Sequence, residues 1–268
     1  MEESKKSIVS NSLETIKVYY SQSKWKEYPN YYVYEESGPF SSEDEKGQNK
    51  NTIGYKQSAK GRVTGSIITK CIKYDTILAA KKIAGLYREE FTEEQSIRVN
   101  YGKDHEKDAR EWYILSTGNI VKSPYFAVPK FDYRLGAEHD GFIYDKDGNE
   151  LDGILEIKCP MEIYEPLLNI TRPFLRLSGE KDNDYSHISE SHYDQMQMEM
   201  EIFDKSWCDY VVYCIPKNFV FLERVYRNKE YWNILYEKIR IFIDAKLTPL
   251  LNEIGSEYPY NPKTITTK

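Results

Sequence analysis

The sequence predicts an α/β fold, a central mixed β-sheet flanked by helices. Three observations predict it. Apolar residues recur at helical spacing over 64–86, where Ile67, Ile68, Cys71, Ile72, Ile77, Leu78 and Ile83 fall near one face. A β-hairpin is written into 141–159, where Gly141–Tyr144 meets the turn residues Asp145-Lys146-Asp147-Gly148-Asn149 and then an alternating run closed by Pro160. After it come a helix, two strands and a terminal helix, the order of a sheet with helices on its faces.

Taken in order, residues 7–34 predict a short helix and a strand-like piece. The segment 35–51, rich in Ser, Gly, Glu and Lys, predicts a loop. Residues 1–51 are therefore expected to be an N-terminal extension and linker, and 52–268 the main domain. Gly85 is placed to end the helix over 64–86. A second helix is predicted over 102–116, with Ala109, Trp112 and Tyr113 inward. Strands are predicted at 125–128 and 133–135, an irregular polar segment at 161–190 and a helix at 193–204. Strands at 207–215 and 219–225 and a long amphipathic helix at 229–253 complete the order.

Composition narrows the function. The chain has 268 residues, ordinary apolar content and 24 Tyr, which fits a globular core. No run of about 18 apolar residues suggests a membrane span, and Met1–Lys6 has no apolar segment of a secretory signal. The four cysteines, Cys71, Cys159, Cys208 and Cys214, form no C-x-x-C pair, and four His are present. Zinc and iron–sulfur sites are not expected, and reduced thiols fit a cytoplasmic or nuclear protein. The net charge of −6 speaks against a non-specific nucleic-acid binder. Its distribution does not: between Gly54 and Lys82 stand Lys56, Lys60, Arg62, Lys70, Lys73, Lys81 and Lys82 against Asp75 alone. The plainer reading of that stripe is a solvated helix face.

The chemistry-bearing set is Asp140 with Glu156-Ile157-Lys158. On a strand, Glu156 and Lys158 share a face and Ile157 takes the other. Asp140, at the start of the partner strand, can reach Glu156. Two hard carboxylates and the Ile157 backbone carbonyl would suit Mg²⁺, with water completing its shell. Lys158 would lie near an attacking water and a scissile phosphate. E-x-K alone is a cheap pattern: Glu3-Ser4-Lys5 has it, and D-x-K occurs at Asp44-Glu45-Lys46 and Asp244-Ala245-Lys246. Only Glu156–Lys158 lies in a predicted strand after an Asp-Gly hairpin. An exposed, salt-bridged strand face is the alternative.

Gly136-x-x-x-Asp140-Gly141 followed by Leu155-Glu156-Ile157-Lys158-Cys159-Pro160 resembles the lambda-exonuclease / YqaJ-like viral recombinase family of the PD-(D/E)XK nuclease superfamily. Three further segments match in order over about residues 58–226. Arg62-Val63-Thr64-Gly65-Ser66 resembles an element whose Arg and Ser grip a 5′-phosphate. Gly102-x-x-x-Glu106-x-x-Ala109 resembles a helix whose Glu joins the metal site. Tyr193-x-Gln195-x-Gln197 resembles a helix whose first Gln lies by the active site. Each has its own physical reading. Arg62 offers a planar fork suited to phosphate, and Thr64 and Ser66 could bind a phosphate or cap a helix. Glu106 could point at the sheet or into solvent. Gln195 and Gln197 cannot share a helix face, so Gln195 is expected beside the metal-bound water and Gln197, like Tyr193, behind it. The sequence departs from the family at His139, where Pro is usual, and in the long acidic segment 161–192. A toroidal trimer therefore cannot be carried over.

The resemblance implies the PD-(D/E)XK core and a Mg²⁺-dependent exonuclease, with Mn²⁺ able to substitute, acting 5′→3′ on linear double-stranded DNA with 5′-phosphate ends. It also implies a single-strand annealing partner and a homo-oligomer, and no membrane. An endonuclease on the same core and a non-catalytic DNA-binding member of the fold are the alternatives.

Overall fold

The computed structural model describes residues 25–34, 58–74, 76–168, 175–176, 185 and 187–264. The expected loop at 35–51, the expected helix before residue 25 and residues 169–174, 177–184 and 186 of the 161–192 segment lie outside the described residues. Eleven strands are described: β1 (Trp25–Glu27), β2 (Tyr31–Tyr34), β3 (Val63–Thr64), β4 (Ile120–Lys122), β5 (Ala127–Pro129), β6 (Leu135–Gly136), β7 (Gly141–Tyr144), β8 (Glu150–Lys158), β9 (Leu175–Arg176), β10 (Trp207–Cys214) and β11 (Phe219–Tyr226). The helices are α1 (Ile68–Ile72), α2 (Thr76–Ile83), α3 (Glu93–Thr117), α4 (Glu165–Leu168), α5 (Glu190–Phe203), α6 (Lys229–Phe242) and α7 (Thr248–Glu253).

The main sheet has six strands in the order β4-β7-β8-β10-β11-β9. It is mixed: β7/β8 and β10/β11 are antiparallel, whereas β8/β10 is parallel. Strand β8 sits in the middle, and Gly153 to Ile157 are all buried. A strand covered on both faces needs this nearly continuous apolar run. The β7–β8 turn forms as the sequence predicts. The Asp145 carboxylate accepts from the Asp147 and Asn149 amides at 2.9 and 2.8 Å, and Gly148 takes a left-handed φ of 84°.

The two faces of the sheet carry different helices. Ala109 and Tyr113 of α3 pack on Leu155, Ile157, Val211 and Leu222. The opposite face, with Ile154, Tyr210 and Val212, packs against Met196, Met198 and Met200 of α5 and on to Trp232 and Ile239 of α6. Strand alternation thus assigns Glu156 and Lys158 to the α5 side and Ile157 to the α3 side.

Helix α3 is longer than the periodicity predicts. A capping box, in which Thr92 and Gln95 bond each other's backbone amides, starts it nine residues before 102. The predicted helix over 64–86 is instead a 3₁₀ turn at Gly65–Ile67, then α1 and α2. The break lets α1 lie on α5, where Thr69 bonds Asp194 at 3.1 Å, while α2 packs on the turn after α6. The single helix expected over 229–253 widens into a π-helix at Ile243–Leu247 before α7. Pro249 has no N–H to give the Ala245 carbonyl, so the α-helical ladder fails there.

The boundary drawn at residue 52 does not separate Trp25–Tyr34 from the rest. Strand β2 pairs antiparallel with β5, joining Tyr31 to Pro129 and Val33 to Ala127. The rings of Tyr28, Tyr31, Tyr125 and Phe203 stack at this junction, with centroids 5.0 to 6.0 Å apart. All four cysteines are buried and free. Among the described residues no helix is long and apolar enough to cross a membrane.

Candidate active site

Strand β7 ends at Gly141, which lies opposite Leu155. Beyond that point the edge of β8 has no strand partner on this side, and Asp140 takes its place. The Asp140 amide donates to the Leu155 carbonyl at 2.8 Å, and its carboxylate accepts from the Ile157 amide at 2.7 Å. The N–H and C=O of one strand residue project towards the same edge. The Ile157 carbonyl therefore faces the edge that Asp140 occupies. Asp140 and Glu156 are both buried.

On the α5 side, Lys158 Nζ donates to Glu156 Oε1 and, at 3.2 Å, to Gln195 Oε1. Gln195 Nε2 donates to Glu156 Oε1 at 2.7 Å and to Glu199 Oε1 at 2.9 Å. Gln195 and Glu199 stand one helical turn apart on α5, on the face turned to β8. Burial opposes the charge on Lys158, but the carboxylates of Glu156 and Asp140 outweigh it and hold the ammonium above the usual lysine range. Burial, reinforced by the Glu156 charge, holds the Glu199 carboxyl well above the usual carboxylate range.

Gly65 closes this side. A Cβ there would stand 2.8 Å from Gln195 Cγ and 3.4 Å from Glu199 Oε1, so the loop lies directly on both side chains. Next to it Thr64 is half-buried, with no capping hydrogen bond, and Ser66 is exposed.

Four of the expected residues thus gather: Asp140, Glu156, Lys158 and Gln195. Glu106 lies on α3, which packs on the Ile157 face of the sheet, and an Arg110 nitrogen stands 3.2 Å from its carboxylate. Among the described residues no three Asp, Glu, His or Cys side chains converge as metal ligands. Asp140, Glu156 and the Ile157 carbonyl remain an all-oxygen donor set fitting Mg²⁺ or Mn²⁺, ions that retain several waters.

Arg62 also departs from expectation. Only 1% of it is exposed, and its guanidinium donates to the carbonyls of Tyr133 (2.8 Å), Ser58 and Tyr260. These bonds brace the chain before Gly65 against two distant loops, so the fork is turned to backbone oxygens instead of a surface pocket. Gln197 donates to the Tyr226 carbonyl at 3.0 Å and accepts from the Asn228 amide at 2.7 Å, tying α5 to the end of β11. Tyr193 packs its ring against Tyr231 and Tyr185, and burial raises its hydroxyl to about 12. Both support α5 from behind. His139 is fully buried between the rings of Phe142 and Phe203, and Nδ1 accepts from the Gly141 amide at 3.0 Å. Burial lowers its pKa to about 3, so it is a neutral filler.

Three cations of the basic stripe are paired with carboxylates. Lys70 and Lys82 reach Glu89, and Lys73 pairs with Glu190. A cleft of about 550 Å³, lined in part by Lys130, Arg134, Arg240 and Phe131, shares no lining residue with the cluster around Glu156. Three of its cations are paired: Arg134 with Asp132 and Asp244, Lys130 with Glu27 and Arg240 with Glu237.

Sequence reasoning missed Glu199. The only signal available was its i+4 spacing from Gln195, which is indistinguishable from the spacing of any surface carboxylate.

A family model described as the YqaJ-like viral recombinase domain matches residues 54–205, more than half of the chain. This chain belongs to the YqaJ-like viral recombinase family. The match spans the Gly65 loop, α3, the β7–β8 hairpin and α5. Among solved structures, the fold of this YqaJ-like protein is similar to an alkaline exonuclease, LHK-Exo, from Laribacter hongkongensis. The two are 22% identical over 74% of this chain and 95% of that one, with a TM-score of 0.54. LHK-Exo in complex with dAMP matches at 21% identity over 76% of this chain and 98% of that one, with a TM-score of 0.56. These similarities bear out the central mixed sheet flanked by helices. No curated protein matches the sequence.

Proposed function

We propose that this YqaJ-like protein is a divalent-metal-dependent deoxyribonuclease that digests linear double-stranded DNA from its 5′ ends, leaving 3′ single strands for recombination. One observation carries the reading. Glu156, Lys158 and Gln195, from two elements, are bonded into one cluster at the open edge of β8 that Asp140 caps. The family and the names of the similar structures, an alkaline exonuclease and its dAMP complex, support the same reaction class.

Asp140, Glu156 and the Ile157 carbonyl would hold Mg²⁺ or Mn²⁺, which when bound supplies Lewis-acid activation of water and charge stabilisation at phosphorus. The protein's own side chains do the rest. Lys158, kept cationic by the two carboxylates, faces the position of the attacked phosphate and offsets its developing charge. The Gln195 carbonyl oxygen holds the Lys158 ammonium in place. Thr64 and Ser66 lie beside Gly65, within one residue of the Gln195 contact, and are the proposed receivers of a terminal phosphate. Arg62 holds their loop.

The test is digestion of linear and closed circular DNA, the linear form bearing 5′-phosphate or 5′-hydroxyl ends, with and without Mg²⁺. Loss of linear DNA alone, faster from phosphorylated ends and only with metal, is expected. Cutting of the closed circle would replace this reading with an endonuclease. Absence of cleavage in every arm, with DNA still bound, would favour a non-catalytic DNA-binding member of the fold.

A further inference from the structure

We propose that Glu199 is a positioning residue for the reaction at Glu156: it fixes which way the Gln195 carboxamide faces. This rests on the nuclease reading above and adds to it.

A primary amide has two N–H donors at one end and an acceptor at the other, and its two flipped orientations are nearly the same shape. What it does in a site depends on which orientation is enforced. At Gln195 both donors meet carboxylates, Glu156 at 2.7 Å and Glu199 at 2.9 Å. The oxygen faces the Lys158 ammonium at 3.2 Å. A flipped amide would set its oxygen against Glu156 Oε1 and Glu199 Oε1, the two oxygens that now accept from it, and its N–H groups against a cation. Glu156 alone would oppose that flip at one donor; Glu199 supplies the second and makes the orientation definite.

Three features of Glu199 fit this role and no packing role. Only 1% of it is exposed. Its second oxygen is buried without a hydrogen-bond partner, so the contact with Gln195 is the polar bond described for it. A buried carboxyl group with one oxygen unpartnered is costly, and an apolar side chain would fill the space at less cost. Finally, Gly65 lies over both side chains: a Cβ there would crowd Gln195 Cγ at 2.8 Å and touch Glu199 Oε1 at 3.4 Å, so the pair is covered from the loop side as well as from the strand.

The test compares Glu199→Gln, Glu199→Met, Gln195→Ala and the Gln195→Ala/Glu199→Met double variant. An amide oxygen at 199 can still accept from Gln195, so Glu199→Gln should retain most of the turnover. Methionine fills the space without an acceptor, and kcat should fall about 10²-fold with KM for DNA little changed, the scale of a misplaced group. Adding Glu199→Met to Gln195→Ala should change kcat by less than about twofold, because both act through one amide. Independent, multiplying losses in the double variant would overturn the proposal, as would a Glu199→Gln variant as inactive as Gln195→Ala. A second readout needs no activity. In protein labelled with ¹⁵N at glutamine side chains, the Gln195 amide, identified by its loss in Gln195→Ala, should exchange slowly with solvent. It should exchange fast in Glu199→Met. Equal exchange in native protein and Glu199→Met overturns the proposal even if no DNA is cut, an outcome that would separately end the nuclease reading.

Discussion

Gln195 Nε2 lies 2.7 Å from Glu156 Oε1, which bonds helix α5 to the central strand at the acid of the E-x-K triplet. The contact joins residues 39 positions apart in sequence. It makes helix placement, strand register and the candidate chemistry one problem.

Glu156→Gln should reduce single-turnover cleavage of end-labelled DNA by about 10³-fold, since it removes the charge of one of the two proposed carboxylate ligands and of the acceptor that Lys158 bonds. Binding of the same DNA, read by gel shift without metal, should survive. Cleavage at the native rate would remove Glu156 from the machinery.

Mg²⁺ and Mn²⁺ should both support digestion, and Ca²⁺ should bind without turnover. Binding to the folded state alone raises stability by about 2.7 kcal/mol when the ion is at a hundred times its Kd. Thermal melts with each ion should therefore show an upward shift that Asp140→Asn and Glu156→Gln lose. Equal cutting in Ca²⁺ would contradict the ligand assignment.

Arg62→Ala should act on stability. It leaves one buried and two half-buried backbone carbonyls without their donor, at about 1–3 kcal/mol for the buried one and less for the others, so urea unfolding should show a loss of a few kcal/mol. Ser66→Ala should leave stability alone and narrow the rate ratio between 5′-phosphate and 5′-hydroxyl ends. A soluble, fully stable Arg62→Ala that has lost only its end preference would restore Arg62 to the phosphate pocket.

Gly65→Ala should cost activity more than stability. The added methyl meets Gln195 Cγ at 2.8 Å and must displace the amide. A tenfold or greater fall in kcat, about the effect of a small misplacement, should accompany a melting temperature within a few degrees of the native value. Unchanged kcat would mean that Gln195 is not needed where it stands.

Acid should destabilise the fold through its buried histidines. Burial lowers the pKa of His139 and of His192 to about 3, below the unfolded value of about 6.5. A depressed pKa means the unfolded chain binds the proton more readily. The contribution is therefore whole above pH 6.5 and is lost as pH falls towards 3. Urea midpoints across that window should fall, and His139→Phe should flatten the slope even if it lowers stability throughout by removing the bond from the Gly141 amide.

The hairpin was legible because its signals are local. Asp145 and Gly148 make the turn within five residues, and strand alternation alone put Glu156 and Lys158 on one face. Helix α5 and strands β10 and β11 were legible for the same reason, their periods being written in neighbouring residues. The straight helix expected over 64–86 was not what folded, because α1 and α2 each serve a different partner and tertiary packing overrides a weak local preference. The N-terminal boundary misled in a similar way, since nothing in Trp25–Tyr34 names β5 as its partner.

Residue types and short spacings by themselves determined the sheet-and-helix class, the acid–acid–lysine triplet and the family. Which of the candidate side chains meet was decided only by the packing of elements distant in the chain. Packing turned Arg62 inwards onto three carbonyls and brought Glu199 against Gln195. The physical reason is that side-chain chemistry is a property of one residue, whereas burial and hydrogen-bond partnership belong to pairs. Those pairs exist only once α5, β8 and the Gly65 loop have closed on one another.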